Sequence, residues 1–352
     1  MNRIIKSVSR ERELTVLIVM ILITAIFVAV VAGSRFYSPG NFQSMAVQVS
    51  EFGFLALAMG LAMLTGGIDL SIVAAATLAG IVGATVLSGA IIPIEEGNGG
   101  MLIVIAIVAT LVTALLCGLL NGFLIAKLSV PPILATLATM ILFSGIGMVI
   151  TKGQSVAVLV PGFSQLSVVT VAGIPLMFVV MLLGFIALGF FLRYSRQGRR
   201  IYLFGENSVA LKFSGVKTER TILLTYAMVG LLVGFAALVM IARVNSARVG
   251  FGESYLLQAI LVVVLAGFNP YGGRGRVVSI LLALVLLQFL QSAFTMMAFT
   301  PFAKNMVWGA MLLFVMVINF TVARIKFGGS PKPPRPASSE TENLLVTTGV
   351  PK

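Results

Sequence analysis

The chain has 352 residues, of which 59% are hydrophobic and 10% charged, and its 24 Lys and Arg against 11 Asp and Glu give a net charge of +13. A water-soluble surface ordinarily carries about 25% charged residues, so a chain with this few, and with a mean hydropathy of +1.10, lies mostly in lipid. Histidine is absent and Cys117 stands alone, which removes the imidazole metal ligand, proton shuttle and triad base and rules out an intramolecular disulfide.

Helices of about 20 residues cross a bilayer, and ten apolar runs fit that role in whole or in part. The first, Leu14–Gly33, is too long for a signal h-region and has no small-x-small cleavage site before a soluble domain, so it reads as a span. Phe52–Leu64 and Leu70–Pro93 follow, separated by Thr65-Gly66-Gly67-Ile68-Asp69. Asp69 is the sole aspartate of the chain. At the centre of a membrane helix an acid costs about 2.5–3.5 kcal/mol, so Asp69 is expected to face protein or a water-filled path. Its charge would be met by helix-end amides or a cation. Gly66 and Gly67 supply the break and the free amides, which marks a discontinuous helix of a transport protein.

Met101–Ala126, Pro132–Ile150, Ile174–Leu192 and Ile222–Ala242 are full-length runs, followed by Leu256–Phe268, Val277–Ala298 and Asn305–Thr321. Two runs are short. Phe52–Leu64 and Leu256–Phe268, about 13 residues each, rise only about 20 Å. Each follows a glutamate (Glu51, Glu253) and ends in a glycine-rich break, the second of which includes Gly272 and Gly273. Paired short, Gly-interrupted segments point to a transport pathway, although two short helices buried by their neighbours would read the same way. The polar residues inside spans, Asn121, Thr136, Thr139, Ser144, Gln258, Gln288 and Gln291, are candidates to line such a path or to bond helix to helix. The fold expected is an all-α polytopic membrane protein of about ten transmembrane helices, short and broken spans included.

The longest polar stretch runs from Arg193 to Arg220. Within it Asn207 or Ser208 can cap a short helix and Gly215 can end it. Glu206 and Asn207 lie at the start of that helix, Ala210 allows close approach, and Phe213 can fill a partner groove. A helix presented to a cytoplasmic partner and a basic helix lying on anionic lipid both fit these residues. Charge placement orients the chain. With an inside amino terminus, 19 Lys and Arg fall on inside segments and five outside (Arg35, Lys152, Arg243, Arg248, Lys304), so both termini are expected in the cytoplasm. The positives flank apolar runs and form no aromatic-interleaved patch, which argues against nucleic acid. Near the outer side, Glu51, Lys152, Arg243, Arg248 and Glu253 are candidate docking charges for a soluble partner. Residues 1–13 are expected to be a cytoplasmic amino terminus and 14–327 the transmembrane domain with its loop at 193–221. The Pro- and Ser-rich residues 328–352 would form a disordered cytoplasmic tail.

Four ordered pieces together resemble the permease subunits of ABC importers for ribose, galactose, xylose and related sugars. They are GLAMLTGGIDLS (60–71), NGFLIAKLSVPPILATLATM (121–140), GRRIYLFGENSVALKFSGV (198–216), and LLQAILVVVLAG followed by GGRGR (256–276). The resemblance implies a non-enzymatic subunit of the inner (plasma) membrane that pairs with itself or a sister permease. It implies a separate ATPase holding ATP and magnesium inside, a solute-binding protein delivering a monosaccharide or similar polyol outside, and contact of the 198–216 stretch with the ATPase. Ala74, Ala266, Ser279 and Ala283 stand where such permeases often carry glycine, and Phe268-Asn269-Pro270 is a less usual insert. No G-x-x-x-x-G-K-[ST] occurs, so any ATP is hydrolysed by another chain. The competing reading is a proton- or sodium-coupled secondary transporter using Asp69 or Glu51, which leaves the 193–216 loop unexplained. A passive channel fits poorly, since no ring-forming filter motif appears.

Overall fold

The computed structural model describes residues 14–28, 33 and 36–327, with backbone alone for 318–320 and 322–327. The expected cytoplasmic amino terminus, the tail and Arg35 lie outside the described residues. The helices are α1 (Leu14–Val28), α2 (Pro39–Leu64), α3 (Ile72–Leu87), α4 (Gly99–Ala126), α5 (Pro132–Thr151), the short α6 (Pro161–Gln165), and α7 (Leu176–Tyr194). Then come α8 (Arg196–Glu206), α9 (Ser208–Phe213), α10 (Thr218–Val244), α11 (Glu253–Leu265), α12 (Val277–Met296) and α13 (Pro301–Phe327). Among the described residues, α2, α4, α5, α7, α10 and α12 are long and apolar enough to cross a membrane. Four further apolar stretches, Leu14–Val28, Ile72–Leu87, Glu253–Leu265 and Pro301–Val317, are shorter. Contacts divide the chain at residue 309. The described part of the second unit, 310–327, is the remainder of α13.

The first unit is built around α2, whose membrane-length window is 89% buried, against 28–56% for the other five long helices. Every residue from Val49 to Leu64 is buried. Apolarity does not set this burial, since α2 is the least apolar of the six; its polar residues need partners that lipid cannot offer. Ser38 starts it, its hydroxyl accepting from the Asn41 amide at 3.3 Å, with Pro39 in the first turn, where its missing N–H goes unnoticed.

Here the structure corrects the sequence reading. The run taken as a short span at Phe52–Leu64 is the inner half of a 26-residue helix. Its polar first half looked like a loop, yet three of its polar residues find partners on other helices. Asn41 Oδ1 accepts from Ser292 at 3.2 Å, Gln48 Oε1 accepts from Gln288 at 3.3 Å, and Glu51 pairs with Arg243. The short helix beside the first break is instead α3, of 16 residues. Sequence periodicity also missed four two-residue strands. β1 (Val156–Ala157) pairs antiparallel with β4 (Ser246–Ala247), tying the α5–α7 connection to the end of α10, and β2 (Thr170–Val171) pairs with β3 (Ile174–Pro175).

The most extensive helix pairing joins α4 to α10. Ala114, Gly118 and Gly122 recur every fourth residue on α4, facing Tyr226, Gly230 and Gly234 on α10. This is the small-xxx-small pattern that lets backbones meet. A Cβ on Gly118 would overlap the Tyr226 carbonyl oxygen and lie 2.8 Å from the Gly230 Cα. In Gly230→Ala the new methyl therefore meets backbone that cannot rotate away. The change is expected to destabilise by about 1–3 kcal/mol, read as a lower thermal unfolding midpoint of the detergent-solubilised chain.

Candidate functional site

The α2 ladder stops at Thr65, whose hydroxyl donates to the Ala62 carbonyl at 2.7 Å, and Gly66 turns the chain with φ +78°, a conformation open to glycine. Seven residues, 65–71, separate α2 from α3, and side chains meet several of the polar groups in the last of them. The Ser71 amide (2.9 Å) and hydroxyl (2.7 Å) both donate to Asp69 Oδ1. The Leu70 amide donates to Thr136 Oγ1 at 3.1 Å, and that hydroxyl lies 3.2 Å from the Ile68 carbonyl. Asn121 Nδ2 donates to Ser71 Oγ at 2.7 Å, and Thr139 Oγ1 donates to Asn121 Oδ1 at 2.7 Å.

Donors thus run in one direction, from Thr139 on α5 through Asn121 on α4 and Ser71, to the fully buried Asp69 carboxylate. Such a chain suits a negative charge at its end. Of the two partners expected for Asp69, amides and hydroxyls fill the role, and no ion pair to it occurs among the described residues. Ser71 was not singled out from sequence, although a hydroxyl two residues past a buried acid is the signal for a local turn. Gln258 and Gln288 stand outside this network. Gln288 bonds Gln48, and Gln258 is half-buried on α11.

The second break, between α11 and α12, folds back on the first. The Gly273 amide donates to the Leu64 carbonyl at 2.9 Å, so the last carbonyl of α2 is met by the other discontinuity. A Cβ on Gly272 would lie 2.8 Å from both the Gly66 amide and the Gly205 Cα. Gly205, near the end of α8, is the third member. A Cβ there would overlap the Leu64 carbonyl oxygen and the Gly273 amide. The Tyr202 hydroxyl, one turn earlier on α8, donates to the Gly275 carbonyl at 3.0 Å. Gly66, Gly272, Gly273 and Glu206, whose Cγ faces Gly273, therefore meet in one place. Gly205 escaped sequence reading because a lone glycine within a helical run has many explanations.

The polar loop holds two helices where one was expected. The first is α8, strongly amphipathic, with Ile201 buried and Ser195 capping it by accepting from the Gly198 amide at 2.8 Å. Glu206 closes α8 and so does not start the second helix, which corrects its expected place. Asn207 caps α9, accepting from the Ala210 amide at 2.9 Å, and Gly215 reverses the chain with φ +77°. Phe213 is 88% exposed.

A cavity of about 300 Å³ lies beside this junction, bounded by Thr65, Gly66, Ser129, Phe204, Ile222 and Tyr226 together with neighbouring residues. None of its lining residues is charged. The Tyr226 hydroxyl is fully buried beside Gly67 and has no hydrogen-bond partner among the described residues. Far from the breaks, Glu51 is fully buried and paired with Arg243, so it cannot belong to an exposed docking set as its charge suggested. Arg248 and Glu253 are not so enclosed. No group of three or more His, Cys, Asp or Glu able to hold a metal occurs among the described residues.

Residues 41–316 match the family model described as branched-chain amino acid transport system / permease component. The chain is 33% identical over 300 residues to the ribose import permease protein RbsC of Bacillus subtilis (strain 168), covering 85% of this chain and 90% of that protein. It is 29% identical over 316 residues to the Escherichia coli (strain K12) protein of the same name, covering 88% and 93%. It is also similar to the autoinducer 2 import system permease protein LsrD of Yersinia enterocolitica, 30% identical over 271 residues, covering 75% and 79%. No solved structure matches the chain.

Asn121→Leu keeps the volume but leaves Ser71 and Thr139 without their partner, and is expected to destabilise by about 1–3 kcal/mol, measured as a fall in thermal midpoint. Thr139→Val removes only the outermost donor and should cost less. Arg243→Met strands the Glu51 carboxylate and is expected to cost about 3–5 kcal/mol. The double variant Glu51→Gln/Arg243→Met should recover most of that loss in the same unfolding assay, and equal losses in single and double variants would refute the pairing.

Proposed function

We propose that this chain, which belongs to the branched-chain amino acid transport system permease component family, carries a monosaccharide or similar polyol inward by alternating access. It is the membrane permease component of an ATP-binding-cassette importer, a non-catalytic subunit with the apolar helices of a multi-pass inner-membrane protein. Identity to two ribose import permeases along most of both chains supports the sugar reading. An ion-coupled secondary transporter gains no support from these relatives.

The partners follow from the division of labour. An ATPase that binds and hydrolyses ATP engages the loop from Gly198 to Val216, with α9 as the contact and Phe213 as its anchor. The 88% exposure of Phe213 on a helix capped by Asn207 is the observation that carries this assignment. A solute-binding protein delivers the substrate on the opposite side, where Lys152, Arg248 and Glu253 remain as candidate contacts. Both termini, α8 and α9 face the cytoplasm, a sidedness that rests on the excess of Lys and Arg on those segments. The permease pairs with a second copy or a sister subunit. Asp69 acts as a structural and electrostatic anchor of the first break, not as a proton carrier, because its carboxylate is the terminus of a hydrogen-bond chain.

The test is to reconstitute the chain with its ATPase and binding protein and follow D-ribose uptake alongside ATP hydrolysis. ATP-dependent uptake of D-ribose is expected, and uptake of autoinducer 2 alone would move the substrate to the other class of relative. Phe213→Asp should leave the helices inserted but abolish co-purification of the ATPase and cut substrate-stimulated hydrolysis at least tenfold. Normal assembly with normal stimulation would return the loop to a lipid-surface role.

A further inference from the structure

We infer that Gly205, with Tyr202 on the same helix, is a positioning element that transmits ATPase movement from α9 to both helix breaks at once. The inference rests on the reading that α9 meets the ATPase. The junction where α8 touches the breaks is backbone against backbone. Gly205 lies against the Leu64 carbonyl and the Gly273 amide, and Gly272 lies against Gly205 and Gly66, with no room for even a Cβ. Side chains can absorb a displacement by changing rotamer, whereas close-packed backbone passes it on.

Two hydrogen bonds make the junction a unit. Gly273 to Leu64 (2.9 Å) joins the breaks to each other, and Tyr202 to Gly275 (3.0 Å) joins α8 to the second break. A single residue, Asn207, separates α8 from α9. A push on α9 therefore reaches Gly205 without an intervening flexible segment.

The other side of α8 supplies the freedom that a moving part needs. Phe204, adjacent to Gly205, borders the cavity of about 300 Å³, whose other walls include Gly66 at the break, Ser129 in the α4–α5 connection and Ile222 on α10. Interiors are otherwise packed with few voids larger than a water molecule. Free volume on one face and rigid contact on the other let α8, the second break and the near end of the first, at Thr65 and Gly66, shift together relative to α4, α5 and α10. Asp69, tied to Asn121 through Ser71, holds the far end of the first break while its near end moves.

The readout is substrate moved per ATP hydrolysed, measured in proteoliposomes containing the permease, its ATPase and its binding protein. Gly205→Ala should keep the ATPase on the permease yet lower the transport ratio about tenfold. Tyr202→Phe, which removes one hydroxyl and no volume, should lower it about threefold and guards against misfolding of the alanine variant. Ile222→Trp, which fills the cavity, should slow uptake and stimulated hydrolysis together. If both α8 variants lose uptake and hydrolysis in proportion, with the ratio unchanged, Gly205 and Tyr202 only support packing and the inference falls. Because the ratio is read in complexes that retain the ATPase, this outcome is separate from a failed Phe213→Asp test, which bears on α9 alone.

Discussion

The hydrogen bond from the Gly273 amide to the Leu64 carbonyl answers the hardest demand on this fold. In hydrocarbon every backbone polar group must be met within the protein, and irregular backbone survives only where protein or a water-lined space encloses it. The chain interrupts its helices twice beside α8, and the second interruption supplies the partner for the last carbonyl of α2. In the first break Thr136 accepts from the Leu70 amide and Asp69 from the Ser71 amide and hydroxyl. A buried acid thus anchors a loop that would otherwise leave the Ser71 amide unmet, and the Asn121 amide of α4 and the Thr139 hydroxyl of α5 extend its hydrogen bonding to two further helices.

The same demand explains why α2 sits at the centre. A helix carrying Asn41, Gln48 and Glu51 cannot face lipid along that side, and α10 and α12 supply the matching groups. Glycines complete the arrangement. On α4 and α10 they bring two long helices into backbone contact, and around Gly205 they do so for a surface helix and two breaks. The first set lies in a continuous helix pair and gives rigidity. The second set lies where the ladders are already interrupted, next to a void, and there close contact is compatible with movement.

Much of this was legible in the residues themselves. A lone aspartate after a glycine pair inside an apolar run has one economical explanation, and the helix break is there. Asn207 and Gly215 carry local cap and turn chemistry, which depends on near neighbours only. The failures share a different cause. Glu51 ended the predicted span at Phe52 because its partner, Arg243, is 192 positions away, and no local pattern announces a pairing at that range. Gly205 matters only through Leu64 and Gly273, again far in sequence, and Ser71 became visible once Asn121 stood beside it. The two-residue strands are set by the ends of α5 and α10 coming together and are too short to show a period.

The distance between Glu51 and Arg243 also bears on how the protein is made. Ribosomes add roughly 5–20 residues per second, so the 192 positions separating the pair correspond to about 10–40 s of synthesis. Throughout that interval α2 carries an acid whose cation has not yet left the ribosome. The pairing that buries Glu51 is therefore completed only once α10 has been made.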